Sequence, residues 1–229
     1  MIELIEKRPS ESIKDYTYLV LRKNIIDLNL KPGQIISENE IASRINVSRT
    51  PIREAFARLV SEELLEIYPQ KGTQVSFIDL NRVEEARFMR LQLEQAVVKL
   101  ACEDFPENYL FKLESNINQQ EFCLVKKNYI AALDLDNSFH ELIFKGCGKA
   151  RIWNAIHFMN GDFDRIRALN LISSRNMDIV HAQHRDIFNA IKAKDSTLGV
   201  NLVCDHLTKV NNDKIILLDE YPTYFKEYS

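Results

Sequence analysis

The residues most able to do chemistry are an aspartate and three histidines in the second half of the chain. In LDLDNSFHELIF, Asp136 and His140 are four apart. On a helix that spacing stacks both side chains on one face, where they can share a cation. His184 in HAQHRDIF and His206 in LVCDHLTKV fall on two further expected helices. One carboxylate and three imidazoles would make a borderline-hard site for Zn, Ni, Mn or Fe, with coordination positions left open. The bland alternative is three hydrogen-bonded structural histidines and a solvated Asp136. Periodicity does not bring three helices together, so both readings stand at this point. Asp plus three His also suits activation of a water in a metal-dependent hydrolase or lyase. That reading finds no second general base, because Glu141 points elsewhere on the helix than its neighbour His140.

A second group is basic. In VSRTPIRE, Arg49 and Arg53 are also four apart and project from one helix face, opposite Phe56 and Leu59. Ser48 and Thr50 sit at the start of that helix, where hydroxyls and unbonded amides can meet phosphate. Guanidinium forks for guanine edges or phosphates suit major-groove entry. Lys71 and Gly72 stand at a hairpin tip that could reach an adjacent phosphate. A solvated helix face would carry the same arginines, but the ordered run of motifs around them favours the DNA reading. A third pair, Arg90 and Glu94, shares a face by the same spacing. It reads equally as an intrahelical ion pair or as a guanidinium placed to take an effector carboxylate in bidentate fashion.

Elements must position these groups. Few glycines and prolines (6 each) and long 3.6-residue apolar periods point to a mainly α protein. A first helix is expected over about 12–28, then a Pro32-Gly33 turn. Ser37-Glu38-Asn39-Glu40 reads as a capping box opening a short helix that buries Ile41, Ala42 and Ile45. Asn46 suits the turn. Ser48 should cap the next helix with Pro51 in its first turn, where a missing amide is harmless. Two short β-like runs around 69–72 read as a hairpin. Helices follow near 80–104, 107–126, 128–147, 150–171, 175–193 and 195–219, an all-helical bundle. The tail carries four aromatics in its last nine residues, which suits packing onto the body or a partner subunit.

At 229 residues two domains are comfortable, 1–77 and 78–229. No apolar run approaches membrane-spanning length. The opening residues mix both charge signs without a signal-peptide core, and four separated cysteines read as reduced thiols, so the cytoplasm is expected. Residues 1–76 carry 11 basic and 11 acidic side chains; the remainder carry 19 and 22. DNA affinity must therefore come from local arginines rather than a global field.

The stretch from Leu30 to Val75 closely resembles the DNA-binding domain of the GntR family of bacterial regulators. The Leu-x-Pro-Gly turn, the Val47-Ser48-Arg49-Thr50-Pro51-x-Arg53-Glu54-Ala55 core and the Lys71-Gly72-Thr73-x-Val75 wing carry the likeness, over roughly 12–77. It implies a winged helix-turn-helix with DNA contacts at Arg44, Ser48, Arg49, Thr50, Arg53, Lys71 and Gly72, and at Asn39. Asn46 and Glu63 stand where the family commonly has Gly; at Glu63 a strained backbone or a slightly extended helix is expected. Residues 80–216 resemble the helical effector domain of the FadR subgroup, on Arg90-x-x-x-Glu94, Asp136-x-x-x-His140, His184 and His206. That likeness implies a divalent metal on the Asp and three His and a small organic acid completing its coordination. It further implies no enzymatic activity, and a homodimer that reads a palindromic operator and represses until the effector binds.

Overall fold

The computed structural model describes residues 2–70, 72–172, 177–208 and 210–227. They fold as two compact units, residues 1–82 with 218–229 and residues 83–217.

The first unit follows the order α1 (Ile13–Ile26), β1 (Ile35–Ile36), α2 (Glu38–Ile45), α3 (Arg49–Ser61), β2 (Leu65–Tyr68) and β3 (Gly72–Val75). Ser12 caps α1 through the Asp15 amide, and Ser37 caps α2 through the Glu40 amide at 3.2 Å. Only that half of the capping box forms, because the Glu40 carboxylate lies 2.8 Å from Arg44. Ser48 is the N-cap of α3 yet makes no side-chain cap bond. The cause is in the sequence: the third helical position is Pro51, which has no amide to donate. The apolar stripes of the three helices meet in a core of Val20, Leu21, Ile25, Ile41, Ile52 and Leu59, all fully buried. A buried ionic cluster ties α1 to α3, with Tyr18 donating to Glu62 at 2.6 Å and Arg22 Nε donating to Glu62 at 3.0 Å. Burial, reinforced by that hydrogen bond, pushes the Tyr18 hydroxyl up to about 12.

The wing holds one strand more than the expected hairpin. β1 pairs antiparallel with β3, giving the order β1-β3-β2 with Ile36 opposite Thr73 and Tyr68 opposite Gly72. The Pro32-Gly33 turn brings β1 there: Gly33 has φ +80°, and an added Cβ would lie 2.7 Å from the Phe77 ring. The tail belongs to this unit rather than to the helical one. Phe225 is buried and bridges to Ile78, and Lys226 lies 3.3 Å from Asp79.

The second unit is all helical: α4 (Leu80–Glu103, entering from the first unit), α5 (Glu107–Lys126), α6 (Tyr129–Gly146), α7 (Ala150–Met159), α8 (Gly161–Ile172), α9 (Met177–Lys192), α10 (Ser196–Thr208) and α11 (Val210–Glu220, whose last residues belong to the first unit). The segment expected as one helix over 150–171 is two, broken at Asn160-Gly161. Asn160 leaves helical geometry and its side chain donates to Asp164 at 2.6 Å, starting the next helix. α8 is buried on every side although it carries Asp162, Asp164, Arg165, Arg167 and Asn170. Its charges pair among themselves, Arg165 with Asp162 and Arg167 with Asp164, as burial demands. Among the described residues no helix is long and apolar enough to cross a membrane. The four cysteines are unpaired thiols.

Candidate metal centre and nucleic-acid face

The helical unit brings Asp136, His140, His184 and His206 together. All four are buried, and one ligand atom from each lies within 4.8 Å of the others. Asp136 and His140 come from α6, His184 from α9 and His206 from α10. The spacing that placed the first two on one face therefore acted as expected, and packing supplied the other two.

A layer of partners fixes each ring. Glu94 accepts from His140 Nδ1 at 2.6 Å, Gln120 Oε1 from His184 Nδ1 at 2.9 Å, and Gln183 Oε1 from His206 Nδ1 at 3.0 Å. Carbonyl and carboxylate oxygens only accept, so each Nδ1 carries a hydrogen and each Nε2 is the nitrogen turned to the cluster. Those Nε2 atoms converge: His140 Nε2 and His206 Nε2 are 3.3 Å apart, and His184 Nε2 is 3.6 Å from Asp136. Phe139 stacks on His184 with centroids 4.2 Å apart, and Trp153 lies parallel to His140 at 6.3 Å.

Burial holds His184 well below the ordinary imidazole range, and it takes His206 down to about 3 with help from neighbouring His140. Burial alone would raise Asp136, but the charges around it, the Arg167 guanidinium foremost, more than offset that, so the carboxylate stays ionised below its usual range. His184, His206 and the Asp136 carboxylate are thus in the form a metal needs, neutral imidazole and ionised carboxylate. The residues also fit a cation on a second count: His184 Nε2 is buried with no hydrogen-bond partner.

Arg90 and Glu94 settle beside this cluster. Arg90 Nε donates to Glu94 at 2.6 Å, and both side chains are fully buried, so this is no surface pair. Glu94 spends one oxygen on Arg90 and the other on His140. Arg90 Nη1 and Nη2 are buried without a hydrogen-bond partner, over the rings of Phe163 at 5.1 Å and Trp153 at 5.7 Å. Arg167 pairs with Asp136 and donates to Asn137 at 2.7 Å. Gln120 and Gln183 went unnoticed in the sequence. Each supports a histidine on a different helix, 64 and 23 residues away, and no local spacing signals that.

On the first unit, Asn39, Arg44, Ser48, Arg49, Thr50, Arg53 and Gly72 are all exposed. Lys71 lies outside the described residues. Arg49 Nη2 and Arg53 Nε both reach Glu38 Oε2, at 3.4 and 2.8 Å. Asn46 turns the chain between α2 and α3 at φ +59°, and Glu63 follows α3 at φ +56°, so both residues that replace the family's glycines adopt the left-handed conformation.

A short α2, a tight turn, an exposed arginine-bearing α3 and a three-stranded wing define a winged helix-turn-helix, joined in one chain to a helical sensor-type domain. Comparison with known proteins agrees. Residues 14–75 match the gntR family of bacterial regulatory proteins, and residues 85–209 match the FCD domain. The chain belongs to the GntR family of transcription regulators, in its FadR-like FCD subgroup. It is 29% identical over 219 residues to the HTH-type transcriptional repressor RspR of Escherichia coli, covering 96% of each chain. An HTH-type transcriptional regulator in an unstable DNA locus of Streptomyces ambofaciens is 32% identical over 197 residues, or 86% of this chain and 82% of that one. The fold of Escherichia coli McbR/YncC superposes with a TM-score of 0.80 at 20% identity, over 92% of this chain and 99% of that one. The family and the two sequence relatives are transcription regulators, not enzymes.

Proposed function

We propose that this regulator binds a palindromic operator as a cytoplasmic homodimer and represses transcription until a small organic acid is sensed at a metal centre. α3 enters the major groove with Arg49 and Arg53 toward base edges, while Ser48, Thr50 and Arg44 take backbone phosphates and Asn39 reaches the same groove. Lys71 and Gly72 of the wing reach the adjacent groove. Asp136, His140, His184 and His206 would hold one divalent ion, Zn, Ni, Mn or Fe. The ion would supply a Lewis-acid site for one oxygen of the effector. Arg90 Nη1 and Nη2 would receive its carboxylate, with Glu94 fixing the direction of the guanidinium. The repressor sense rests on the likeness to RspR, a transcriptional repressor.

The observation that carries the sensing half is the convergence of three Nε2 atoms and one carboxylate, each ring tied back through Nδ1. Effector binding would shift the equilibrium between DNA-competent and incompetent forms by about 1–3 kcal/mol, a change of roughly 5- to 150-fold in operator affinity. Two measurements test the proposal. Arg49→Ala with Arg53→Ala should abolish binding to the protein's own promoter region in a mobility-shift assay; unchanged affinity would refute the DNA face. Elemental analysis should find about one divalent ion per chain, lost in His184→Ala; a metal-free protein that shows no thermal shift with Zn or Ni would refute the centre.

A further inference from the structure

Every basic candidate on α2 and α3 has an acidic partner: Arg44 lies 2.8 Å from Glu40, and Arg49 and Arg53 share Glu38. Glu38 differs from Glu40 in where it stands. It occupies the first position of α2, fixed there by the Ser37 cap, and reaches across the Asn46 turn to α3. One carboxylate oxygen, Oε2, takes both guanidiniums. Hydrogen bonding from Arg53 first, then from Arg49, holds the Glu38 carboxyl below the usual carboxylate range, so it is ionised wherever the protein works. The arginines give up little. Arg53 spends only Nε and Arg49 one η-nitrogen, and both side chains remain more than half exposed, at 60% and 56%.

We infer that Glu38 is a specificity-determining positioning residue for DNA recognition. Two physical effects combine in it. Its negative charge cancels part of the field that would draw Arg49 and Arg53 to any phosphate, the term that dominates sequence-independent binding. Its hydrogen bonds also fix the direction in which the unused N–H groups point, and direction is what a bidentate match to a guanine edge requires. Attraction to unrelated DNA is thereby lowered while the fit to a matching base is kept. The neutral balance of this half of the chain, 11 basic against 11 acidic side chains over residues 1–76, is of the same kind. The inference rests on α3 being the helix that enters the groove.

The test needs no known operator. Full-length wild type, Glu38→Gln and Glu38→Asp each select binding sequences from a random duplex pool. Affinities for the wild-type selected sequence and for a scrambled duplex are then measured across salt concentrations. Glu38→Gln should bind the scrambled duplex several-fold tighter, with a salt slope steeper by about 0.9 for the extra phosphate engaged. Its ratio of selected to scrambled affinity should fall about tenfold, the size of one weakened base contact. Glu38→Asp keeps the charge but draws the carboxylate back by one methylene; it should keep the wild-type salt slope and still lose discrimination. A Glu38→Gln ratio equal to wild type, with both affinities moving together, would overturn the proposal and leave Glu38 a bystander displaced on binding. Glu38→Asp matching wild type in ratio would overturn the positioning half. Wild type that selects no sequence would refute the DNA face itself. Thermal melting of both variants close to wild type excludes misfolding as the cause of any change.

Discussion

At the scale of single residues, the candidate centre is a lesson in what spacing encodes. Asp136 and His140 could be paired from the sequence because one helical turn is a local rule. His184 and His206 could be suspected by type, but their arrival beside Asp136 is a product of how α9 and α10 pack on α6. Gln120 and Gln183 were invisible: a glutamine bonded to a histidine on another helix has no signature in either helix. Arg90 and Glu94 were half legible, since the spacing revealed the pair but not that both are buried with two guanidinium nitrogens unpartnered. The second layer makes a prediction of its own. Gln120→Leu removes the acceptor that fixes the His184 tautomer, so metal affinity should fall about 10- to 100-fold, measured by competition with a chromophoric chelator. Glu141→Gln should leave that affinity unchanged, because Glu141 pairs with Lys145 on the outer part of α6.

At the scale of elements, most of the fold was readable, and the differences have named causes. The cap at Ser37 and the turns at Asn46 and Gly33 lie where the residue chemistry put them, while the cap expected at Ser48 forms no side-chain bond. The α7–α8 break was missed because Asn160 and Gly161 interrupt an apolar period that otherwise continues through them. β1 was missed because two residues, Ile35 and Ile36, are too few to show alternation. Glu63 is the instructive case. Its amide bonds Val60 O and the Leu64 amide bonds Leu59 O, a complete Schellman motif closed by a residue with a Cβ. A left-handed non-glycine residue costs about 1–2 kcal/mol. Against that stand a half-exposed ion pair of Glu63 with Arg82, 3.3 Å apart and worth about 0.2–1 kcal/mol, and the extra chain entropy of glycine, about 0.5–1 kcal/mol. The opposing values nearly cancel, so Glu63→Gly should leave the winged unit's Tm within about 1 °C of wild type in calorimetry, slightly raised. A lower Tm would mean that the Arg82 pair outweighs the backbone strain.

At the scale of the whole molecule, the sequence divided the chain near residue 77, and the helical unit proper begins at Val83. The C-terminal aromatics were expected to pack, and Phe225 does, against the winged unit, a destination that composition alone could not name. The proposed linkage between the two units has a thermodynamic consequence. An ion that binds only the folded helical unit should stabilise it by about 2.7 kcal/mol when present at roughly 100 times its Kd. Adding Zn or Ni to chelator-treated protein should therefore raise Tm by several degrees, and the shift should vanish in His206→Ala. If the shift survives that substitution, the ion is bound elsewhere.

Trp153 is the chain's single tryptophan. It is buried, parallel to His140 and beneath the Arg90 guanidinium. Any light the protein emits under indole-selective excitation therefore originates at the edge of the candidate centre. The protein carries its own optical probe there, and quenching or a wavelength shift during titration would report occupancy without a label.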